Sequence, residues 1–353
     1  MGRQNFLDEF QKEFKKEGIH INSASDLENI ESIPTGIVSF DCSSGIGGFP
    51  KGRIVEVFGP ESGGKSLLSL VSLAYAQKMF GSTGLYFDIE GGTPKEWLET
   101  LGIDLNLLDI VPAGLTAEQN FDTIVNAIEA EAYEYIIIDS VAGLVPRAEL
   151  EGSITKDYMA TLARVMGKGM KKVVATLGVA KKSPCLIFIN QIREKPGVMF
   201  GDPTVTPGGR SLKFYAAQRY RVSKKSQSEE KNSSGDVIGH TIKVVNVKNK
   251  LGSPKREAEF FINYTQGVDT TSSLMTMLKE RKAYEKKGQK YILTLFDTPI
   301  EFDKMGDIKQ KIQDDKEFQL KIYNVLMKKW LGTLPGELSK TTEEDDEFNV
   351  GAD

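Results

Sequence analysis

Residues 59–66 fit the pattern G-x-x-x-x-G-K-[ST], with Gly59, Pro60, Glu61, Ser62, Gly63, Gly64, Lys65 and Ser66 in order. At average glycine usage such a string arises by chance in a chain this long about once in a hundred. The chemistry it serves is phosphate binding. Glycines let the backbone wrap close to an anion, and N–H groups at a helix start point at it with the helix dipole behind them. Lys65 would reach the β- and γ-phosphates of ATP, and the Ser66 hydroxyl would hold Mg2+. A glycine-rich turn with an accidental lysine is the bland alternative. The flanks argue against it, because 54–58 reads as a strand and 67–80 as a helix.

A phosphate loop of this kind needs a carboxylate at the end of a neighbouring apolar strand. Tyr135-Ile136-Ile137-Ile138-Asp139 supplies one. Asp139 would order Mg2+ mostly through a water ligand, since that ion keeps part of its shell. Glu90 closes a second run, Leu85-Tyr86-Phe87-Asp88-Ile89-Glu90, and is the leading candidate to orient or deprotonate an attacking water. Asp88, two residues earlier on the same side of a strand, competes for that role.

A sheet must bring these residues together. Short apolar runs at 54–58, 85–87, 135–138, 186–189 and 242–247 alternate with helical patterns at 67–80, 94–101, 117–130 and 160–179. That alternation predicts an α/β fold with a mainly parallel central sheet. Ahead of it, Phe6, Leu7, Phe10 and Phe14 recur at helical spacing, and Gly18 ends the run. So short a helix does not hold itself together in water, so its phenylalanine face must dock, either on its own core or on a neighbouring subunit. A polar linker follows from about Asn22 to Ser32. After Thr270 the pattern weakens, with helical runs at 274–278 and 318–330. The expected organisation is an oligomerisation helix and linker (1–33), an ATPase core (34–269), a small helical or mixed domain (270–340) and a disordered acidic tail (341–353).

The balance of 40% hydrophobic and 27% charged residues is that of a soluble globular chain. No run approaches the roughly 18 apolar residues of a membrane span, and the charged N-terminal stretch is unlike a secretory signal. Cys42, Cys185, His20 and His240 lack ligand spacing, which argues against a structural zinc site. A reducing cytoplasmic setting without a membrane partner is expected. The net charge of −4 is unevenly spread. Residues 158–193 hold seven bases and no acid, 241–256 five bases and no acid, and 341–353 six acids and no base. Such stretches fit a polyanion partner or plain solvated faces, and charge alone does not choose.

Further strings add up to a resemblance. Gly59–Ser66, Tyr86–Glu90, 136–142, Ile187-Phe188-Ile189-Asn190-Gln191-Ile192-Arg193, Pro196–Gly201, Leu212–Ala216 and Val247-Lys248-Asn249-Lys250 together resemble the RecA family of DNA strand-exchange recombinases, in its bacterial branch. The likeness runs in order from about Thr35 to Gly267 and leaves a bacterial or phage origin open. It implies a RecA-type core with small N- and C-terminal elements, and an ATP- and Mg2+-using DNA-dependent ATPase. Such a protein forms helical homo-filaments on single-stranded DNA and exchanges strands with homologous duplex. Loaders, mediators or repressor-type proteins would be further partners. The resemblance makes Glu90 the catalytic glutamate, Gln191 the γ-phosphate sensor and Trp97 an adenine-stacking aromatic. Lys248 and Lys250 would reach a neighbour's ATP. DNA would meet two loops: 149–160, near Met159 and Arg164, and 194–209, with Arg193, Gly197, Val198, Met199, Phe200, Gly208 and Gly209.

The second loop supports that reading by its own composition. Four glycines and three prolines between 194 and 209 predict a stretch without regular structure. Its Val198-Met199-Phe200 cluster is apolar where an exposed loop should be polar, which suits wedging between bases or packing on the protein surface. Departures from the family pattern are Gly63 in place of a common serine, Pro94 near the adenine and a diverged 149–160 loop. A hexameric helicase would share the ATPase core, and a nonenzymatic DNA scaffold would have no need of Lys65, Ser66, Glu90 and Asp139.

Overall fold

Ile136, Ile137 and Ile138, like Leu186 to Ile189, form unbroken apolar runs because both faces of their sheet are covered. Ile137, Ile187 and Ile189 join Val55 and Val57 against Leu68, Leu70 and Leu73 of helix Lys65–Phe80. Ile136, Ile138, Leu186 and Phe188 point the other way. They pack with Phe121 and Ile124 of helix Ala117–Glu129 and with Met166, Met170 and Val173 of helix Met159–Val179. Period-two alternation thus feeds two cores instead of one core and solvent. The computed structural model describes residues 2–14, 30–153, 159–194 and 204–331.

The main sheet runs Gly267–Val268, Glu257–Asn263, Val237–Asn249, Gln218–Lys224, Ile54–Gly59, Cys185–Gln191, Tyr135–Asp139, Gly84–Asp88, Leu108–Val111. Strands from Gln218–Lys224 to Leu108–Val111 are parallel; the others on this path pair antiparallel. Register aligns the carboxyl ends, setting Gly59 opposite Gln191 and Asp88 opposite Asp139. In open α/β sheets the crevice beyond those ends is where ligands bind.

The strands and helices expected from periodicity are present, most of them a residue or more longer. Gln218–Lys224 escaped because Arg219 is polar yet buried, ion-paired with Glu56 inside the sheet. The terminal unit is mixed. Helices Thr270–Glu280, Met305–Asp314 and Lys316–Trp330 pack with a three-stranded sheet over 284–302, and Val38 and Cys42 from the front of the chain complete its core. Asp41, wholly buried, ties the two parts. It accepts hydrogen bonds from Thr35 N (3.0 Å), Thr35 Oγ1 (2.8 Å) and Tyr323 Oη (2.7 Å). Burial pushes its carboxyl up to about 7, against the pull of those donors.

Helix Arg3–Phe14 forms as its spacing predicts, and Phe10 stacks toward Phe14 at 4.7 Å. None of its described side chains is buried, and Phe6 is 52% exposed. Among the described residues this helix contributes no side chain to a buried core.

Candidate functional site

The phosphate loop packs closely on strands Gln218–Lys224 and Val237–Asn249. A Cβ at Gly59 would lie 1.9 Å from the Val222 carbonyl oxygen, and one at Gly64 (φ +92°) 2.4 Å from Ile242 Cδ1. Bare backbone at these positions is what a close phosphate contact needs, so the loop fits the nucleotide its pattern implies. Lys65 opens the helix, and its Nζ donates to the Pro60 carbonyl at 2.6 Å. Burial holds the Lys65 pKa below its ordinary value, while Asp139, Glu90 and Glu61 pull it back up. The three carboxylates stabilise the protonated ammonium against the cost of its burial.

Asp139 accepts from Tyr86 Oη at 2.9 Å and from the Ser66 side chain. Burial raises its pKa, and the Glu90 charge adds to that; the Ser66 and Tyr86 hydrogen bonds and Lys65 oppose it. Among the described residues no group of three or more His, Cys, Asp or Glu could hold a metal. A divalent ion beside Ser66 and Asp139 would draw its remaining ligands from water and phosphate, the habit of Mg2+.

The strand carrying the two competing acids ends at Asp88, so Glu90 lies in the turn beyond it. The alternation that put both on one side does not extend that far. Asp88 closes the turn, accepting from Thr93 N at 3.1 Å and Thr93 Oγ1 at 2.9 Å. Glu90 instead accepts from Gln191 Nε2 at 3.0 Å and from Ser140 Oγ. Glu90, Gln191 and Ser140 come from three different strand ends and meet at one carboxylate.

Lys248 and Lys250 lie elsewhere. Lys248 belongs to strand Val237–Asn249 and pairs with Arg219, which pairs with Glu56. Glu56 is three residues back from Gly59, about 10 Å along the strand, and two strand spacings add a similar lateral distance. Both lysines have hydrogen-bond partners, and these are backbone carbonyls. Lys248 Nζ donates to the carbonyls of Lys213 (2.7 Å) and Phe214 (3.0 Å), and Lys250 Nζ to Phe214 (3.4 Å). Burial lowers the Lys248 pKa to about 8, helped by the charges of Lys250 and Arg219.

The family model for the RecA N-terminal domain matches residues 3–269. The chain belongs to the RecA family. Protein RecA of Lactobacillus acidophilus is 38% identical over 285 residues, covering 81% of this chain and 77% of that one. Protein RecA of Heliobacterium modesticaldum is 39% identical over 289 residues, covering 82% of each. A solved structure of the RadB recombinase superposes with a TM-score of 0.48 at 20% identity, covering 67% of this chain and 98% of its own. As a RecA-family member the chain is a recombination and repair protein, with a nucleotide-binding ATPase core. No described helix is long and apolar enough to cross a membrane.

The two loops expected to meet DNA are described at their roots in this RecA-family chain. Arg193 is exposed and begins a two-residue strand, 193–194, paired with Thr204–Val205. The stretch expected to be irregular therefore has a ladder at its base. Gly208 (φ +83°) is buried, and a Cβ there would lie 3.0 Å from Val141 Cγ1; at Gly209 (φ +80°) it would lie 3.0 Å from Ala163 Cβ. These two glycines turn the chain back onto helix Met159–Val179. Arg164 is exposed on that helix. The loop expected over 149–160 is bounded by helices Arg147–Leu150 and Met159–Val179. Gly197, Val198, Met199, Phe200 and the Met159 side chain lie outside the described residues, as does the acidic tail. Trp97, half-buried on helix Lys95–Thr100, packs on the core beside the phosphate loop's helix.

Two residues with contacts here were given no role by the sequence. Ser140 is the residue after a strand-end aspartate, with no diagnostic spacing. Asn190 is wholly buried, and its Nδ2 donates to Glu56 Oε1 and to the Pro207 carbonyl, both at 3.2 Å. It therefore ties the root of the second loop to the phosphate-loop strand.

Proposed function

We propose that this chain is a DNA-dependent ATPase that polymerises on single-stranded DNA in the cytoplasm, pairs it with homologous duplex and exchanges strands. The observation that carries the reading is the division of the site. Lys65, Asp139, Glu90 and Gln191 converge at one end of the sheet, whereas Lys248 and Lys250 sit too far back to serve the same nucleotide. The loop from Gly59 to Ser66 binds the ATP phosphates, with Lys65 on the β- and γ-phosphates, and Trp97 faces the base. Mg2+, held by Ser66 and by Asp139 through water, would neutralise phosphate charge. Glu90 orients or deprotonates the attacking water. Gln191 is bonded to Glu90 and starts the segment leading to Arg193, so nucleotide state and the second loop share one strand end. Gly197, Val198, Met199 and Phe200, with Arg193 and Arg164, contact DNA, reading backbone and base faces without sequence preference. Gly208 and Gly209 shape that loop.

Lys248 and Lys250 act on the ATP of an adjacent subunit, so a single subunit is an incomplete enzyme. The uncovered phenylalanine face of Arg3–Phe14 supports docking on that same neighbour. Residues 270–340 form the small terminal domain and 341–353 the acidic tail; loading or repressor-type proteins would be additional partners. The test measures ATP turnover with and without single-stranded DNA and images the same sample. Stimulated turnover with open helical filaments is expected. Closed rings would favour a hexameric helicase, and absent stimulation would overturn the enzyme reading.

A further inference from the structure

Lys248 and Lys250 are held in one place by one short element. Helix Ser211–Tyr215 follows Gly208 and Gly209 after its N-cap Arg210, at the root of the second loop. Its Leu212 carbonyl is used within the chain by Ala216 N, at 2.9 Å. The carbonyls of Lys213 and Phe214 belong to the set that a helix end leaves over, with the negative end of the peptide dipoles around them. Lys248 Nζ takes both, at 2.7 and 3.0 Å, and Lys250 Nζ takes the second more loosely while lying 5.8 Å from the Phe214 ring centroid.

We propose that the Lys213 and Phe214 carbonyls form a resting cradle that holds Lys248 and Lys250 back until an adjacent subunit's nucleotide draws the two ammonium groups off it. This rests on the reading that both lysines act on a neighbour's ATP. The cradle is made of neutral dipoles, so it satisfies the donors without neutralising the charge. Around Lys248 stand three further cations, Lys250, Arg219 and Lys213, and one anion, Glu56. Glu56 is already paired with Arg219. With partial burial added, the protonated Lys248 is disfavoured where it rests, and its pKa falls to about 8. An anionic phosphate offers the same donors full charge compensation, so transfer runs downhill once a neighbour is in place. Lys213 and Phe214 are thus positioning groups, acting through Lys248 and touching no substrate.

Competitive acetylation with trace acetic anhydride, read by mass spectrometry across pH 6–11 on the full chain, tests this lysine by lysine. In the free protein Lys248 is expected to titrate near 8, which at that pH gives it about a hundredfold larger unprotonated fraction than an ordinary lysine. In filaments formed with single-stranded DNA and a non-hydrolysable ATP analogue, its labelling at pH 8 is expected to fall at least about tenfold. Intrinsic reactivity of the unprotonated Lys248 in the free protein equal to that of an exposed lysine, with protection in filaments, would show the amine unheld and overturn the cradle while leaving the shared site standing. A profile near 8 that stays unchanged in well-formed filaments would overturn the shared site and the cradle's function with it.

Discussion

At the Gly59 end of the sheet, four strand ends deliver Lys65, Asp139, Glu90 and Gln191 into one set of contacts made entirely by this chain. At the Glu56 level of the same sheet, Lys248 and Lys250 direct their hydrogen bonds to backbone carbonyls. The first region is a prearranged anion site whose carboxylates and cation offset one another. The second holds cations with no anion to spare, since Glu56 is committed to Arg219. A charge that is buried and uncompensated persists where something later compensates it. On the proposed reading, the contrast separates chemistry a subunit carries by itself from chemistry it lends to another.

The largest effect breaks the first region. Lys65→Ala removes the only loop cation facing the phosphates, and ATP turnover is expected to drop to background with folding intact by circular dichroism. Near-normal turnover would dissolve the distinction. Lys248→Ala strikes the second region and is expected to cost about 10³-fold in DNA-stimulated turnover, the scale of a lost charge finger. It should still bind nucleotide at its own loop. Mixing it with Lys65→Ala subunits should restore part of the turnover, because a mixed interface pairs an intact Lys248 with an intact Lys65. No rescue despite demonstrated co-assembly would place both regions in one subunit's service.

Glu90→Gln is expected to slow hydrolysis by about 10²-fold while ATP and DNA still bind, so filaments should outlast those of the parent chain. Asp88→Asn, whose carboxylate is occupied by Thr93, should affect the Glu90 turn more than the chemistry. The reverse pattern would reassign the base. The smallest effect lies outside both regions, at Asp41. Its folded pKa is raised to about 7 from 3.8, so the folded state binds the extra proton. The stability this contributes is full below about pH 4 and is lost as pH rises through 7. Asp41→Asn should flatten that part of the melting profile and lower stability by about 1–3 kcal/mol, because an amide cannot accept from all the donors of Thr35 and Tyr323. An unchanged profile would show that Asp41 stays ionised when buried.

The phosphate loop and the strand ending at Asp139 were legible because each is written in consecutive residues. Glycine spacing sets a backbone path, and an apolar run ending in an acid marks a buried strand with an exposed tip. The strand Gln218–Lys224 was hidden because burial of Arg219 depends on Glu56, 163 residues away. The residues alone put Glu90 ahead of Asp88 without separating the two, for a related reason. Both acids look alike until the turn at Thr93 takes one of them. Ser140 bonds Glu90 across 50 positions and Asn190 bonds Glu56 across 134, and no local pattern announces either.

The sequence by itself determined most of the longer helices, most of the parallel strands, the nucleotide loop and the family. These depend on residues a few places apart, where backbone conformation and apolar period act. Strand order and register decided the rest: which acid meets Gln191, which lysines fall out of reach of their own phosphate loop, and which carbonyls hold them. Those outcomes depend on distances between chain segments, and such distances exist only once the two cores have closed on the sheet.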